Sequence, residues 1–144
     1  AVTLAVTLFG ALLGRGGRNG ILRGDRITVG LDGSDATERD YVLFLATTLE
    51  RLILGLMPFW GQGTGAMRFT TIDYPPARLT RALWPVLRGK PRPWLEGSGY
   101  RSGRARECAL TLTCPMVFDG EFLEPEPGVP VMIRSDRQMT FWRV

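Results

Sequence analysis

The sequence contains no histidine. This absence excludes the Ser–His and Cys–His nucleophile systems, and every zinc site that depends on imidazole ligands. If the chain takes part in catalysis, proton transfer therefore has to use carboxylates.

Cysteine is almost as scarce, since Cys108 and Cys114 are the only two. They are six residues apart in a strand-like run, so their Cα atoms would lie roughly 20 Å apart at the rise of an extended chain, beyond disulfide reach. We expect two free thiols, and hence a reducing compartment such as the cytoplasm.

Lysine is nearly absent as well. Lys90 is the only one, so arginine carries almost all of the positive charge in a net balance of +4. Arginine suits bidentate contacts with carboxylate or phosphate, although the base composition of a genome explains the same bias more simply. The charge permits a phosphate ligand or an anionic membrane surface and selects neither. We expect no nucleic-acid partner.

No apolar run is long enough to span a bilayer. Residues 2–13 form an apolar stretch of about a dozen residues without a basic segment before it, which fits neither a transmembrane span nor a secretory signal. Leu4, Leu8 and Phe9 recur at helical spacing and predict a buried helix that stops at Gly14. The first residue is alanine, so we expect a fragment or a trimmed chain.

The composition, with 144 residues, 44% hydrophobic and 22% charged, is that of one globular domain. Residues 1–26 are predicted as a helix and a basic loop, and residues 27–144 as a β-domain. Residues 41–48 are apolar on both faces and predict a central, buried strand. Further strands are predicted at residues 27–31, 67–72, 108–112, 116–118, 122–123, 129–134 and 139–143.

One amphipathic helix is predicted over residues 77–89, kinked or shortened by Pro85. Its buried face would consist of Leu79, Ala82, Leu83, Val86 and Leu87. Residues 90–106 are rich in Pro, Gly and Arg and predict an exposed loop. At least six strands joined by short turns, with one or two helices, predict a mainly β fold: an antiparallel β-sandwich.

Two glycine motifs need separate treatment. Residues 61–66 fit the dinucleotide pattern G-x-G-x-x-A, but a strand pattern follows them where a Rossmann turn requires a helix, so we reject that function. Asp119-Gly120 lies between apolar runs and predicts a type I′ hairpin, because both central positions of that turn need φ > 0. Glu121 follows directly. In isolation this turn predicts only two solvated carboxylates.

In order and spacing, these segments resemble the C-terminal domain of the diacylglycerol kinase and bacterial lipid kinase family. The resemblance rests on the apolar run 49–61, the strand–Pro–helix unit 69–89, the turn segment 115–121 and the closing strands with Phe141. It covers residues 27–144. It implies a two-domain enzyme that transfers the γ-phosphoryl group of ATP to a lipid hydroxyl. The nucleotide would lie mainly on an N-terminal domain that carries a Gly-Gly-Asp-Gly-Thr loop.

The resemblance also implies residue roles. Glu121 would be the base and Asp119 an orienting or metal-linked group, or the reverse, with Gly120 allowing the turn. Met57, Phe59 and Trp60 would line an acyl-chain cleft, although a core position accounts for most of them equally well. Mg²⁺ and ATP are implied for the full-length enzyme and neither for this chain, which lacks the nucleotide loop and should be inactive alone.

One family feature is not carried over. Bacterial members often have Asp-Gly at a structural magnesium site just before the strand that begins here at Met67, whereas this sequence has Thr64-Gly65, and a hydroxyl is a poor magnesium ligand. The implied partners are a lipid such as diacylglycerol at the inner membrane face and the N-terminal domain, with a homodimer left open. Two alternatives remain: a non-catalytic β-sandwich module for lipid binding or oligomerisation, and the related NAD kinase fold.

Overall fold

Strand β3 (Thr37–Thr47) runs through the middle of the main sheet in the computed structural model, which describes residues 6–7 and 24–135. Along one edge it pairs with β2 (Asp25–Leu31) and, further on, with β1 (Val6–Thr7). Along the other edge it pairs with β4 (Met67–Asp73). Phe44 and Ala46 of this strand are fully buried, so the predicted central, buried strand is confirmed.

The main sheet continues outward from these strands. On one side β4 pairs with β5 (Tyr100–Ala105), and on the other β2 pairs with β6 (Glu107–Leu112), which pairs with β9 (Val131–Arg134). Strands β7 (Met116–Phe118) and β8 (Glu121–Leu123) form a separate two-stranded sheet. Every pairing among the described strands is antiparallel, and the prediction of a mainly β, antiparallel fold with one or two helices is confirmed.

Alternation along the strands gives the main sheet two apolar faces. One, which we call the hairpin face, packs against the β7–β8 hairpin, so that this hairpin forms the second β-layer among the described residues. The other, the helix face, packs against α1 (Leu79–Leu87) and α2 (Pro93–Gly97). The buried side chains of the helix face are Ile72, Ala82, Val86, Leu95 and Tyr100.

Helix α1 forms where the amphipathic pattern predicts it, with Pro85 inside the helix. Its buried face is turned relative to the prediction. Ala82, Pro85 and Val86 are buried, whereas Leu83 is 49% exposed. Pro85 has no backbone N–H that could be left without a partner in the protein core. Its ring can therefore pack on the buried side of α1, and Leu83 faces outward.

Two other predictions are wrong. Residues 90–106 were predicted as an exposed loop and instead contain α2 and β5. The local sequence of β5 does not predict a strand, because it is polar and contains Gly103. That glycine faces the Phe69 ring of the paired strand β4, and a Cβ on it would lie 2.7 Å from Cζ of Phe69. Within the predicted helix 2–13, Val6–Thr7 is a strand, since pairing with β3 overrides a local preference.

The rest of the predicted helix 2–13, the basic loop 14–20 and the strand 139–143 lie outside the described residues. The division of the chain into residues 1–26 and 27–144 stays a prediction. Strand β2 starts at Asp25, close to that boundary. The helices in the described part of the chain are all too short or too polar to cross a membrane.

Both cysteines are free, in agreement with the sequence prediction. Cys108 is fully buried on the hairpin face, and burial, with a smaller effect of the Asp32 charge, raises the pKa of its thiol to about 12. Cys114 is partly buried, and burial raises the pKa of its thiol as well.

These positions predict unequal thiol reactivity, because the thiolate is the reactive form and a buried thiol is also hidden from reagent. In the folded protein at about pH 8, a disulfide reagent should modify Cys114 slowly and Cys108 only after unfolding. Timed thiol titration with and without denaturant measures this. Cys114→Ser is the control: a folded C114S protein that still titrated one thiol would contradict the assignment.

Candidate active site

The β7–β8 turn adopts the conformation that its sequence predicts. Asp119 has φ 51° and Gly120 has φ 87°, which are the two positive values of a type I′ turn. Phe118 pairs with Glu121 across the hairpin. Aspartate tolerates the left-handed region better than most residues. The turn therefore holds one carboxylate at its tip and a second at the first residue of β8.

The hairpin is anchored at one end and open at the other. Met116 is buried in the core of the hairpin face, and Phe118 packs against that core. Asp119 and Glu121 are exposed, and β8 leaves Phe122 76% exposed. Among the described residues, neither carboxylate has a hydrogen-bond or ion-pair partner. The turn therefore presents two carboxylates that have no partner among the described residues, and Phe122 lies on the other face of the hairpin from Glu121.

The segment with Met57, Phe59 and Trp60 is a structural connection on the helix face. The Met57 N–H donates to the Leu87 carbonyl (3.2 Å), and the Trp60 N–H donates to Oγ of Ser102 (3.1 Å). The hydroxyl of Thr70 donates to the Pro58 carbonyl. These bonds connect the end of α1 to strands β4 and β5.

The structure does not bring this segment to the carboxylates. Trp60 packs against the cluster under α1 and α2, whereas Met116 and Phe118 of the hairpin pack on the opposite face of the sheet. Phe59 is partly buried and Met57 is exposed. A substrate-binding role for these three residues stays a prediction, and Trp60 has a clear structural role in the core.

An arginine–carboxylate cluster at one end of the sheet was not predicted from the sequence. Asp73, at the end of β4, accepts hydrogen bonds from Nη1 of Arg101 at 2.8 Å to both oxygens, and one from Nη1 of Arg39 at 3.4 Å. Burial, and to a smaller degree the Asp73 charge, raises the pKa of the neighbouring Tyr41. The local sequence does not mark these residues, because Arg39 lies in the polar first half of β3 and Arg101 lies in the polar strand β5. Their pairing with Asp73 depends on the strand order.

This cluster borders an open cleft of about 320 Å³. Apolar side chains of the hairpin face line it, together with polar ones: the two arginines, nearby hydroxyls and the carboxylates of Asp35 and Glu96. The residues are Val29, Leu31, Ser34, Asp35, Thr37, Arg39, Tyr41, Phe69, Thr71, Glu96, Arg101 and Ser102. An apolar wall beside polar side chains of both charge signs suits a ligand with an apolar body and a polar end.

The glycine-rich segment 61–66 lies flat against strand β5 and does not form a nucleotide loop. A Cβ on Gly61 would lie 1.8 Å from the Ser102 carbonyl oxygen, and one on Gly65 would lie 2.2 Å from that of Ala105. Strand β4 follows directly. The rejection of a Rossmann turn is therefore confirmed, and these glycines permit close backbone packing.

Thr64 borders a second open cavity with Asp32 and Glu107. Asp32 Oδ1 accepts the N–H groups of Arg106 (2.7 Å) and Glu107 (2.9 Å), so it joins the β2–β3 turn to the β5–β6 turn. The described residues contain no group of three or more potential metal-binding side chains.

The sequence matches no protein-family model and no curated protein. Solved structures share its fold. Two are proteins of Bacillus anthracis str. Sterne described as diacylglycerol kinases, the first by provisional assignment. The first is 12% identical, with a TM-score of 0.54 over 85% of this chain. The second is 11% identical, with a TM-score of 0.52 over 79% of this chain.

The chain spans 50% and 41% of the lengths of these two proteins, or about half. At this level of identity the shared property is the fold. The fold expected from the resemblance to diacylglycerol kinases is thus confirmed by comparison of structures.

The packing of segment 61–66 generates a stability prediction. Gly61→Ala should lower the free energy of unfolding by about 2 kcal/mol or more, because the added methyl group meets the β5 backbone, which cannot move aside as a side chain can. Gly97→Ala is the matched control: a Cβ there has nothing within 4 Å, and alanine favours the α2 helix. Denaturant titration measures both. Equal stability of the two variants would contradict the packing assignment.

Proposed function

We propose that this chain is the catalytic and substrate-binding half of an ATP-dependent lipid kinase that phosphorylates the hydroxyl of diacylglycerol or a similar lipid. The observation that carries the proposal is the type I′ turn with Asp119 and Glu121 exposed and unpaired, on a fold shared with diacylglycerol kinases. Two carboxylates at a tight turn, without a partner among the described residues, are available to a substrate.

Phosphoryl transfer requires an aligned hydroxyl, neutralised phosphates and an acceptor for the hydroxyl proton. In the proposed reaction the lipid oxygen bonds to the γ-phosphorus of ATP, ADP leaves, and Glu121 accepts the hydroxyl proton. Asp119 orients the hydroxyl or contacts a metal-linked group; the two roles are exchangeable.

The described residues do not by themselves fit ATP and Mg²⁺. They contain no phosphate-binding glycine loop, since segment 61–66 packs against β5, and no cluster of metal-binding side chains. In the proposal both are held by an N-terminal domain of the same protein, and this chain alone is inactive. The enzyme would work in the cytoplasm, peripherally at the inner membrane face.

A second candidate is a non-catalytic module for lipid binding or oligomerisation. The exposure of both carboxylates favours it, because catalytic carboxylates are commonly buried beside other charged groups. A Gly-Gly-Asp-Gly-Thr loop elsewhere in the complete protein would favour the kinase, and its absence would favour the module.

The test is transfer of labelled phosphate from ATP to a panel of lipid alcohols by the complete protein. Glu121→Gln should lower kcat by about 100-fold or more, the typical contribution of a general base. Asp119→Asn should lower it as well, and asparagine tolerates the same backbone conformation. Both side chains are exposed, so the melting temperature should stay within the range of ordinary surface substitutions.

Glu124→Gln is the matched control, an exposed glutamate three residues beyond Glu121. It should keep near-normal turnover. Near-normal turnover in Glu121→Gln would overturn the assignment of the base. A wild-type protein inactive on every lipid alcohol would support the non-catalytic module.

A further inference from the structure

The outward side of helix α1 is unusually apolar for an exposed surface. Trp84 is 62% exposed and Leu83 is 49% exposed, although both lie in a helix whose other side is buried. At 100° per residue, Trp84 points almost directly away from the buried Ala82, Pro85 and Val86. The aromatic ring therefore faces away from the sheet.

The chain around this helix carries only positive charge. Residues 77–92 contain no Asp or Glu. Their basic side chains are all exposed, and none has a carboxylate partner among the described residues: Arg78, Arg81, Arg88, Lys90 and Arg92. In contrast, Arg26, Arg39 and Arg101 each pair with a carboxylate.

Arginine and tryptophan are in direct contact on this surface. Cζ of Arg88 lies 4.0 Å from the centroid of the Trp84 ring, and Cζ of Arg81 lies 5.2 Å from that of Trp94. Cation–π contact holds each guanidinium against a ring while its N–H groups stay available to an anion.

A protruding loop adds a further apolar side chain. Leu54 is 91% exposed and has φ 63°, in a tight turn where the Gly55 N–H donates to the Leu52 carbonyl. The loop is joined to the C-terminal end of α1 by the bond from Met57 to Leu87 (3.2 Å), and Met57 itself is exposed. The base of the loop thus lies beside the C-terminal end of α1, which Arg88 and Lys90 follow.

We propose that this α1 surface, defined by Leu54, Leu83, Trp84 and the five basic residues of 77–92, docks on an anionic lipid bilayer. Tryptophan and leucine favour the boundary between headgroups and acyl chains, and arginine binds lipid phosphates. A purely apolar protein partner would leave five cations uncompensated in the interface, which is costly. The anionic bilayer satisfies both components.

This surface is separate from the β7–β8 hairpin, whose Met116 and Phe118 pack on the opposite face of the sheet, and vesicle binding requires neither ATP nor turnover. The inference therefore does not depend on the proposed kinase function, and each can fail alone. It assigns a surface that attaches the protein to a membrane, and it does not assign the path by which a lipid hydroxyl reaches the turn.

The test is cosedimentation of the complete protein with vesicles of phosphatidylcholine alone and vesicles that also contain phosphatidylglycerol. Binding should require the anionic lipid. Trp84→Ser should weaken binding about tenfold, because the variant lacks the ring that enters the bilayer on docking. Arg88→Gln should weaken it about fivefold, the typical effect of one cation at an anionic surface. Trp84→Phe should restore most of the binding.

Two matched controls distinguish docking from general adhesion. Met132→Ser removes a similarly exposed apolar side chain from β9, and Arg106→Gln removes an exposed cation from the β5–β6 turn. Both should bind as the unmodified protein does, and circular dichroism should confirm that all variants are folded. Equal binding to both vesicle types, binding to neither, or equal losses in the α1 variants and the controls would overturn the proposal.

Discussion

Burial of both faces of strand β3 is the constraint on which the rest of this structure depends. A strand whose side chains are apolar on both sides needs a cover on each side of the sheet. Helices α1 and α2 and the segment that contains Trp60 cover one side, and the β7–β8 hairpin covers part of the other. The position of the candidate active site therefore follows from the need to cover a central strand.

The hairpin is held to the core and still reaches solvent. Met116 and Phe118 fix it to the core, while its tight turn keeps Asp119 and Glu121 outside the core and in solvent. Neither carboxylate has a hydrogen-bond or ion-pair partner among the described residues. In the proposed kinase function, the groups that act together with them lie outside this hairpin.

The local sequence was sufficient to predict strands with a clear apolar pattern, such as β3 and β6, and the turn at Asp119-Gly120. It failed where the decisive contact is distant in sequence. Strand β5 is polar and glycine-containing, and it is a strand because Gly103 accommodates Phe69 of β4. Leu83 is exposed because packing on the sheet sets the rotation of α1. The bonds of Arg39 and Arg101 to Asp73 span 34 and 28 residues and depend on strand order.

In the function we propose, the β7–β8 turn is one half of an active site whose other half holds the nucleotide. Hydrogen–deuterium exchange on the complete protein tests it most directly, with and without a non-hydrolysable ATP analogue, Mg²⁺ and a short-chain diacylglycerol. The account predicts slower exchange of the amides around Asp119–Phe122 when all three are present, and no change in strand β9. Unchanged exchange at the turn under saturating ligands would contradict it.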